Sequence, residues 1–384
     1  MDQVTRRRFL LQAAGLPVAL AGVAAAQDQT PPAPTTPEAP LPPSAARYVS
    51  REQGQTAVNC LVCPRACKIE TGTRGLCQAY GNVEGTLQSV GYGNAAKVVP
   101  RRVEQEHFFH YLPGSQALFV GTPSCNLHCT YCNEWRISQF PIEKVSVQDA
   151  PPAALVAQAA QAGVRTVGFS FNDPAVAVEY VLDTAQAVAA QGGRTIAHTA
   201  GYVMPPVMKD LCAALAAVNV DIKCYTDATY KSLAQGTLQP VLDAIKAARE
   251  TPVWLELTYL VVPGQNDEAG PVGDLCKWIL DNCGADTPLH FVRFVPEWQH
   301  RAWQTPMTPV ATLKQFRETA YKAGLRWVYT GNVPGDSGES TYCPNPQCNA
   351  ILIRRIGPAI TLGPLDVAGA RCHDCGTPVP GVWQ

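Results

Sequence analysis

Short apolar runs alternate with alanine-rich stretches along the middle of the chain, and the two kinds of segment predict different elements. The apolar runs predict strands at 117–121, 166–171, 195–198, 218–222, 253–260, 289–294 and 326–330. The alanine-rich stretches predict helices near 152–162, 175–190, 206–216, 240–250, 271–282 and 309–323. Three glycines stand where helix C-caps belong, namely Gly163, Gly192 and Gly324.

The alternation of apolar strands with helices predicts an α/β fold, in which helices cover a parallel sheet. A barrel and an open doubly wound sheet both satisfy this pattern. No Gly-x-Gly-x-x-Gly run follows a predicted strand, so a dinucleotide-binding sheet loses support. We therefore favour a barrel over residues 114–335, with its chemistry at the carboxyl ends of the strands.

The first residues are typical of an export signal. The run TRRRFL precedes a weakly apolar stretch that ends in small residues at 24–26, which predicts a twin-arginine signal over 1–27. An uncleaved anchor and a basic amphipathic tail are the alternatives. Residues 28–46 are proline-rich and predict an extended linker. The signal implies a periplasmic or otherwise extracytoplasmic location, with no stable membrane span after its removal.

Charge and cysteine content narrow the function classes. The formal net charge is −1 and no basic block follows the first residues, so we expect no nucleic-acid partner. Eleven of the fifteen cysteines fall in three tight groups, a spacing that favours metal binding over a disulfide framework. The other four lie in apolar segments and are predicted to be core residues, namely Cys212, Cys224, Cys276 and Cys283.

The central group has the spacing Cys-x-x-x-Cys-x-x-Cys, formed by Cys125, Cys129 and Cys132. One tight loop can point three such thiolates at a single iron–sulfur cluster, whereas a 4Fe–4S cluster normally takes four. No fourth cysteine lies within several dozen residues on either side. An open position on a metal is typical of a catalytic site. The alternative is a zinc-binding turn.

The run CNLHCTYCNEWRISQ resembles the radical S-adenosylmethionine (SAM) enzymes. The resemblance is strongest to the AmmeMemoRadiSam radical SAM proteins, relatives of the pyruvate formate-lyase activating enzymes, and extends from about position 58 onward. It implies a partial (β/α)6 barrel, a 4Fe–4S cluster on Cys125, Cys129 and Cys132, and SAM as its partner. An electron donor would drive reductive cleavage of SAM to a 5′-deoxyadenosyl radical, which abstracts hydrogen from a small-molecule or protein substrate.

The same resemblance implies SAM ligands at the strand ends. Ser170, Asn172 and Asp173 match a variant of the family's GGEP motif, with Asp where Glu is usual, and would hold the amino group of SAM. Lys223 would pair with the SAM carboxylate, Asp221 would hold ribose, a cation or substrate, and His290 would lie near the nucleoside. The alternatives are a local ion pair for the Asp-x-Lys sequence and a core hydrogen bond for the histidine.

Two further cysteine groups flank the barrel. Residues 47–113 carry four thiols that could close a zinc site or bind an auxiliary cluster, namely Cys60, Cys63, Cys67 and Cys77. Spacing does not separate these two options. Residues 336–384 resemble a zinc ribbon, with a rubredoxin-like iron as the alternative, and carry Cys343, Cys348, Cys372 and Cys375. His107 and His110 precede the barrel and are expected to pack.

The leading hypothesis is therefore a radical SAM enzyme of the pyruvate formate-lyase activating type. Within that class, activation of a glycyl-radical enzyme competes with modification of another substrate. A non-catalytic iron–sulfur electron-transfer protein is the rival from a different class. It would use the same cysteines but would need a fourth cluster ligand.

Overall fold

A computed structural model describes residues 44–296 and 304–384, which belong to one compact unit. The predicted export signal and most of the predicted linker lie outside the described residues. Among those that are described, no helix has the length and apolar character needed to cross a membrane.

One sheet of eight strands organises the fold, and its strands follow one another in the order of the chain. They are β1 (Lys97–Arg102), β2 (Gln116–Gly121), β3 (Thr166–Phe169), β4 (Arg194–Thr199), β5 (Ala217–Asp221), β6 (Trp254–Val261), β7 (Leu289–Arg293) and β8 (Val328–Gly331). Strands β2 to β8 are parallel, and β1 pairs antiparallel with β2. The outermost strands, β1 and β8, end the sheet. The predicted partial α/β barrel is confirmed.

In the described part of the chain, seven helices of eight or more residues connect the strands and pack against them and one another. They are α1 (Pro152–Gln161), α2 (Val178–Ala189), α3 (Pro205–Ala214), α4 (Asp227–Ala234), α5 (Leu238–Arg249), α6 (Ala269–Cys283) and α7 (Val310–Ala323). The glycines predicted to end three helices have left-handed φ values of 68°, 68° and 109° at Gly163, Gly192 and Gly324. This conformation costs glycine little, which explains the residue choice.

A close approach between β2 and β3 explains one glycine inside the barrel. Gly168 lies opposite Phe119 in the parallel register. A Cβ atom built on Gly168 would lie 2.3 Å from the Phe119 ring. The ring is fully buried, so it fills the space that a side chain on β3 would otherwise occupy.

The connection between β1 and β2 enters the barrel. Because β1 is antiparallel, this segment (103–112) lies at the amino ends of the parallel strands, opposite the loop that follows β2. The side-chain amide of Asn219 on β5 donates to the carbonyl of His107 at 2.8 Å. The first strand of the sheet, β1, begins at Lys97. It therefore lies inside the segment 47–113, which the sequence analysis assigned to the N-terminal cysteine group.

Small antiparallel sheets make up the two cysteine-rich parts. The first part has strands Ser44–Ala45, Val49–Ser50, Val58–Cys60, Lys68–Ile69, Tyr80–Val83, Thr86–Ser89 and Asn94–Ala95, the last paired with Gln148–Asp149. The second has strands Thr341–Tyr342, Ile351–Ile356, Ala359–Leu362, Leu365–Asp366 and Arg371–Cys372. The second part shares a buried apolar cluster with Phe109, Trp327 and Tyr329, so it packs on β8 and on the β1–β2 connection.

Candidate active site

The loop of residues 125–132, called the cluster loop below, follows β2 at the carboxyl ends of the parallel strands. Two backbone hydrogen bonds hold it against the end of α4. The amide of His128 donates to the carbonyl of Ala234, and that of Thr130 to the carbonyl of Leu233, both at 3.0 Å. The loop therefore has a defined shape without relying on its cysteines alone.

Side chains from the cluster loop also anchor it. Leu127 is buried and packs so close to Gly236 that a Cβ atom there would lie 2.7 Å from its methyl group. The side-chain amide of Asn126 donates to the carbonyl of Tyr202 at 2.6 Å. These contacts join the loop to the segments that follow β4 and α4.

The three thiols of the cluster loop lie close together, with Cys129 buried and Cys125 and Cys132 partly buried. Burial, followed by the nearby Asp173 carboxylate and the other two thiols, raises the pKa of Cys125 well above its usual range. Burial raises the pKa of Cys129 to about 12 and also raises that of Cys132, whose sulfur lies 3.0 Å from the hydroxyl of Ser138. Thiolates in such a place need a cation to stabilise them, and the iron of a cluster would supply that charge.

The segment after β3 braces the cluster loop. The side-chain amide of Asn172 donates to the hydroxyl of Thr122 and to the carbonyl of Ser124, both at 2.8 Å, and its oxygen accepts from the Thr122 amide at 3.0 Å. The hydroxyl of Ser170 donates to the buried carboxylate of Glu106. Asn172 therefore fixes the approach to the cluster loop, and Ser170 faces the barrel interior.

Asp173 is buried, and both of its carboxylate oxygens accept hydrogen bonds. One oxygen accepts from the amide of Ala175 and from the hydroxyl of Thr199, and the other accepts from the amide of Ala200, all at 2.9 Å. Burial raises the pKa of this carboxyl group. Any contact with a ligand would use only the acceptor capacity that these three bonds leave.

Lys223 and Asp221 form a largely buried ion pair beside the cysteines. Burial lowers the pKa of Lys223, but the Asp221 carboxylate and the thiols of Cys129 and Cys132 outweigh it and raise the pKa overall. The sequence did not reveal Asn266, whose side chain donates to the carbonyl of Lys223 at 2.7 Å. A charged ammonium group is thus held next to the cluster loop.

Buried acceptors lie side by side on three neighbouring strands. Asp221 is in register with Thr258, and Thr258 with His290. Asp221 Oδ1, Thr258 Oγ1 and His290 Nδ1 are buried and have no hydrogen-bond partner among the described residues. Such groups are costly to leave unpaired, so this row is a candidate contact for a polar ligand.

His290 is oriented by a carboxylate. Its Nε2 lies 2.7 Å from Oε2 of Glu256, which also accepts from the amide of Phe109 at 3.0 Å. The other oxygen of this carboxylate, Oε1, accepts from the amide of His110 at 2.8 Å. Burial, despite the nearby carboxylate, lowers the pKa of His290, and burial lowers that of His107 to about 3. A neutral His290 that donates through Nε2 presents Nδ1 as an acceptor.

Another buried carboxylate, that of Glu106, contacts β1, β4 and the segment after β3. Glu106 Oε1 is 2.6 Å from Nη1 of Arg101, and its Oε2 lies 3.5 Å from Nδ1 of His198. Burial would raise the pKa of Glu106, but His198, Ser170 and Arg101 outweigh it and lower the pKa. No sequence pattern identified Glu106 or Glu256, because single acidic residues in apolar segments form no motif.

The C-terminal cysteines converge on one point. The ligand atoms of Cys343, Cys348, Cys372 and Cys375 all lie within 4.8 Å of one another. Two of the sulfur pairs are 3.4 Å and 3.7 Å apart, between Cys343 and Cys375 and between Cys348 and Cys372. Four sulfurs at this spacing suit a single tetrahedral ion. The pair Cys343 and Cys348, which four residues separate in the chain, therefore closes onto the pair Cys372 and Cys375.

The N-terminal cysteines line one cavity, which they share with Asn126 of the cluster loop. All four are free thiols. They lie around a short hairpin formed by the strands Val58–Cys60 and Lys68–Ile69, and their role as metal ligands stays a prediction.

Comparisons with known proteins agree with this site. Residues 119–272 match the family described as the Radical SAM superfamily. A protein of Methanocaldococcus jannaschii named "Uncharacterized protein MJ0808" is 36% identical over 319 residues, which span 83% of this chain and 94% of that relative. The chain belongs to the radical SAM superfamily. Membership implies SAM-dependent radical chemistry and a 4Fe–4S cluster.

Solved structures with a similar course of the chain include two radical SAM proteins. A domain of a pyruvate-formate lyase-activating enzyme from Bacteroides vulgatus is 11% identical, with a TM-score of 0.38, over 43% of this chain and 98% of that one. A radical SAM methyltransferase from Sphaerobacter thermophilus is 12% identical, with a TM-score of 0.46, over 78% of this chain and 81% of that one.

Proposed function

We propose that Cys125, Cys129 and Cys132 hold a 4Fe–4S cluster at which the protein reductively cleaves SAM for hydrogen abstraction from a substrate. The observation that carries the proposal is the proximity of three buried or partly buried thiols to one another and to the charged Lys223 at the carboxyl end of the barrel. The donor set fits a cluster with one iron left open, since three thiolates serve three irons. When bound, the cluster and SAM supply a carbon-centred radical.

Lys223 is the proposed partner of the SAM carboxylate. Its raised pKa keeps the ammonium charged at neutral pH, and a charged donor in a partly dry site makes a strong hydrogen bond to a carboxylate. Asp221 forms an ion pair with Lys223 and would keep the lysine side chain extended toward the cluster loop. The pair is thus both a local ion pair and a binding group.

The row formed by Asp221, Thr258 and His290 is the proposed contact for the ribose and nucleoside. Its unpaired atoms include the Asp221 carboxylate and the acceptor nitrogen of His290. Ribose hydroxyls donate hydrogen bonds and would satisfy these acceptors. A bound cation or a polar substrate would satisfy Asp221 equally well.

The segment after β3 is proposed to hold the amino group of SAM. Ser170, Asn172 and Asp173 match the variant motif, but each already has a protein partner. Asp173 would act mainly by holding the backbone of this segment, with its residual acceptor capacity facing Cys125. Its reach is shorter than that of the usual glutamate, which favours a bridging water.

The finer family assignment rests on the run CNLHCTYCNEWRISQ. It supports an AmmeMemoRadiSam-type enzyme related to the pyruvate formate-lyase activating enzymes. Activation of a glycyl-radical enzyme is the second candidate within this class. The two differ in substrate, which is a glycyl-radical enzyme in the second case and another small molecule or protein in the first, and they share the chemistry at the cluster loop.

We also propose that the C-terminal cysteines hold zinc. Their sulfur spacing suits one tetrahedral ion, for which zinc is the common choice and iron the alternative. Elemental analysis of the purified protein separates the two. One zinc per chain that is lost in Cys348→Ala would support zinc, and iron in its place would indicate a rubredoxin-like centre.

Anaerobic reconstitution tests the proposed reaction. The protein is loaded with iron and sulfide, mixed with SAM and dithionite, and assayed for 5′-deoxyadenosine and methionine. We expect both products in equal amounts, and neither when dithionite is omitted. A fully loaded cluster that yields neither product would favour the electron-transfer alternative.

A further inference from the structure

The four N-terminal cysteines are arranged around a hairpin that forms their site. The amide of Cys60 donates to the carbonyl of Cys67 at 2.9 Å. A Cβ atom on Gly75 would lie 3.6 Å from the sulfur of Cys67, so the backbone that leads to Cys77 passes close to that sulfur. The hairpin thus brings all four thiols to one cavity.

The N-terminal thiols are spread more widely than the C-terminal ones. Their cavity has room for a water-sized sphere between thiols and apolar walls that include Val62, Ile69 and Val176. Zinc binds sulfur at about 2.3 Å, which places four sulfurs about 3.8 Å apart. The four sulfurs of the C-terminal group all lie within 4.8 Å of one another. Among the described residues, no three of the N-terminal cysteine sulfurs lie this close together.

We propose that Cys60, Cys63, Cys67 and Cys77 bind a second 4Fe–4S cluster, closed by four thiolates. In such a cluster each thiolate binds a different iron, so the sulfurs stand farther apart than around one ion. The apolar walls suit a buried cluster that no substrate reaches. The two cysteine-rich parts of the chain therefore carry different metals.

The second cluster site adjoins the cluster loop. Arg65, which lies between Cys63 and Cys67, donates from Nε to the carbonyl of Asn126 at 2.8 Å. Asn126 precedes Leu127 in the cluster loop and lines the cavity of the N-terminal cysteines. Asn126 therefore belongs to the cluster loop and also borders the N-terminal cysteine site.

Because the two sites adjoin through Asn126, the geometry points to an electron relay as the role of the second cluster. This role rests on the proposed function of the cluster loop. One electron from an external low-potential donor would reduce the second cluster. The same electron would then cross to the cluster held by Cys125, Cys129 and Cys132, which restores the second cluster to its oxidised form. No proton or other reactant is consumed in this transfer.

Metal analysis tests the assignment without any need for SAM cleavage. The full chain, reconstituted anaerobically, should hold roughly eight iron atoms, four for each cluster. The triple variant Cys125→Ala, Cys129→Ala, Cys132→Ala leaves the N-terminal hairpin untouched and should retain roughly four, with the Mössbauer spectrum of a 4Fe–4S cluster. Retention of no iron, with a second zinc per chain in its place, would overturn the proposal.

The variant Cys63→Ala, Cys67→Ala provides the reciprocal measurement, and Cys276→Ala, which removes a buried thiol from α6, is the control. The double variant should lose roughly four irons and keep the cluster that responds to SAM. It should still cleave SAM with dithionite but lose the fast phase of reduction by a flavodoxin-type donor. Unchanged iron would overturn the cluster, and an unchanged fast phase would overturn the relay.

Discussion

At the scale of single residues, the position of Lys223 is compatible with both interpretations of the Asp-x-Lys sequence, a local ion pair and a SAM-binding group. It is paired with Asp221, as a local ion pair would be, and it also lies within the electrostatic reach of Cys129 and Cys132. An ion pair on the surface contributes little to the free energy of unfolding. This ion pair is instead largely buried, at the mouth of the barrel. Because of this position, replacement of Lys223 is the most informative single substitution for testing SAM binding.

Lys223→Ala should weaken SAM binding and spare the cluster. Loss of a charged hydrogen bond in this site should cost about 1.5–3 kcal/mol, a tenfold to hundredfold loss of affinity. Lys223→Arg should restore little, because a planar fork replaces a compact ammonium poorly. SAM titration followed by electron paramagnetic resonance measures the effect, with the exposed, ion-paired Lys209→Ala as control. An unchanged dissociation constant would remove Lys223 from the site.

Cys224→Ala tests whether the cluster has an open iron. Cys224 is buried and close enough to Cys129 for the two thiols to influence each other, but its thiol points to the carbonyl of Thr226 at 3.4 Å. We expect the variant to keep its iron content, visible absorption and SAM cleavage. Loss of the cluster would identify Cys224 as a fourth ligand and support the electron-transfer alternative.

The sequence revealed the chemistry-bearing residues that belong to motifs and missed those that act alone. Spacing was sufficient to identify Cys125, Cys129 and Cys132 as one group. Glu256 and Asn266 are isolated polar residues whose roles depend on partners distant in the chain. The engagement of both Asp173 oxygens likewise follows from β4 lying next to β3, which no local pattern shows.

At the scale of elements, the site depends on how β2 and β3 meet. The cluster loop leaves β2, and its brace Asn172 follows β3. The two strands are spaced by the Phe119 ring, which occupies the position of a side chain at Gly168. A change at this contact should therefore affect stability first and cluster binding as a consequence.

Gly168→Ala should destabilise the barrel. The added methyl group would lie 2.3 Å from the Phe119 ring, and overpacking of this kind costs about 1–3 kcal/mol. Gly273→Ala is the matched control, because a Cβ atom on this α6 residue meets nothing within 4 Å and alanine favours a helix. Thermal unfolding should show a lower melting temperature for the first variant alone. Equal melting temperatures would contradict the packing described here.

Sequence periodicity predicted the strands from β2 to β8 and all but one of the seven longer helices described between them. It missed α4, which is short and mostly polar and is recognisable mainly by its Thr226 cap, whose hydroxyl accepts from the amide of Thr229 at 3.2 Å. It also did not place β1 in the sheet. That strand contains Pro100, which suits an edge strand but interrupts a strand pattern.

At the scale of the whole molecule, the chain places three groups of cysteines in one compact unit. The N-terminal cysteines adjoin the cluster loop through Asn126. The C-terminal part packs against β8 and the β1–β2 connection, at the opposite end of the barrel. A protein assembled with clusters must be exported in its folded form, and the predicted twin-arginine signal would serve that need.

Replacement of Arg6 and Arg7 by Lys should keep the protein in the cytoplasm with its signal attached, because a receptor reads that arginine pair. These residues lie outside the described part of the chain. Cell fractionation and the mass of the purified protein measure the result, with Arg101→Lys, a change within the folded barrel, as control. Processed variant protein in the periplasm would contradict the predicted route.

The central claim is that three cysteines of one loop make the catalytic cluster. It is tested most directly by SAM cleavage in Cys125→Ala, Cys129→Ala and Cys132→Ala, each reconstituted anaerobically beside Cys276→Ala. We expect each of the three variants to lose roughly four irons and to form no 5′-deoxyadenosine, while the control forms it at the wild-type rate. Cleavage near the wild-type rate in any of the three would contradict the account.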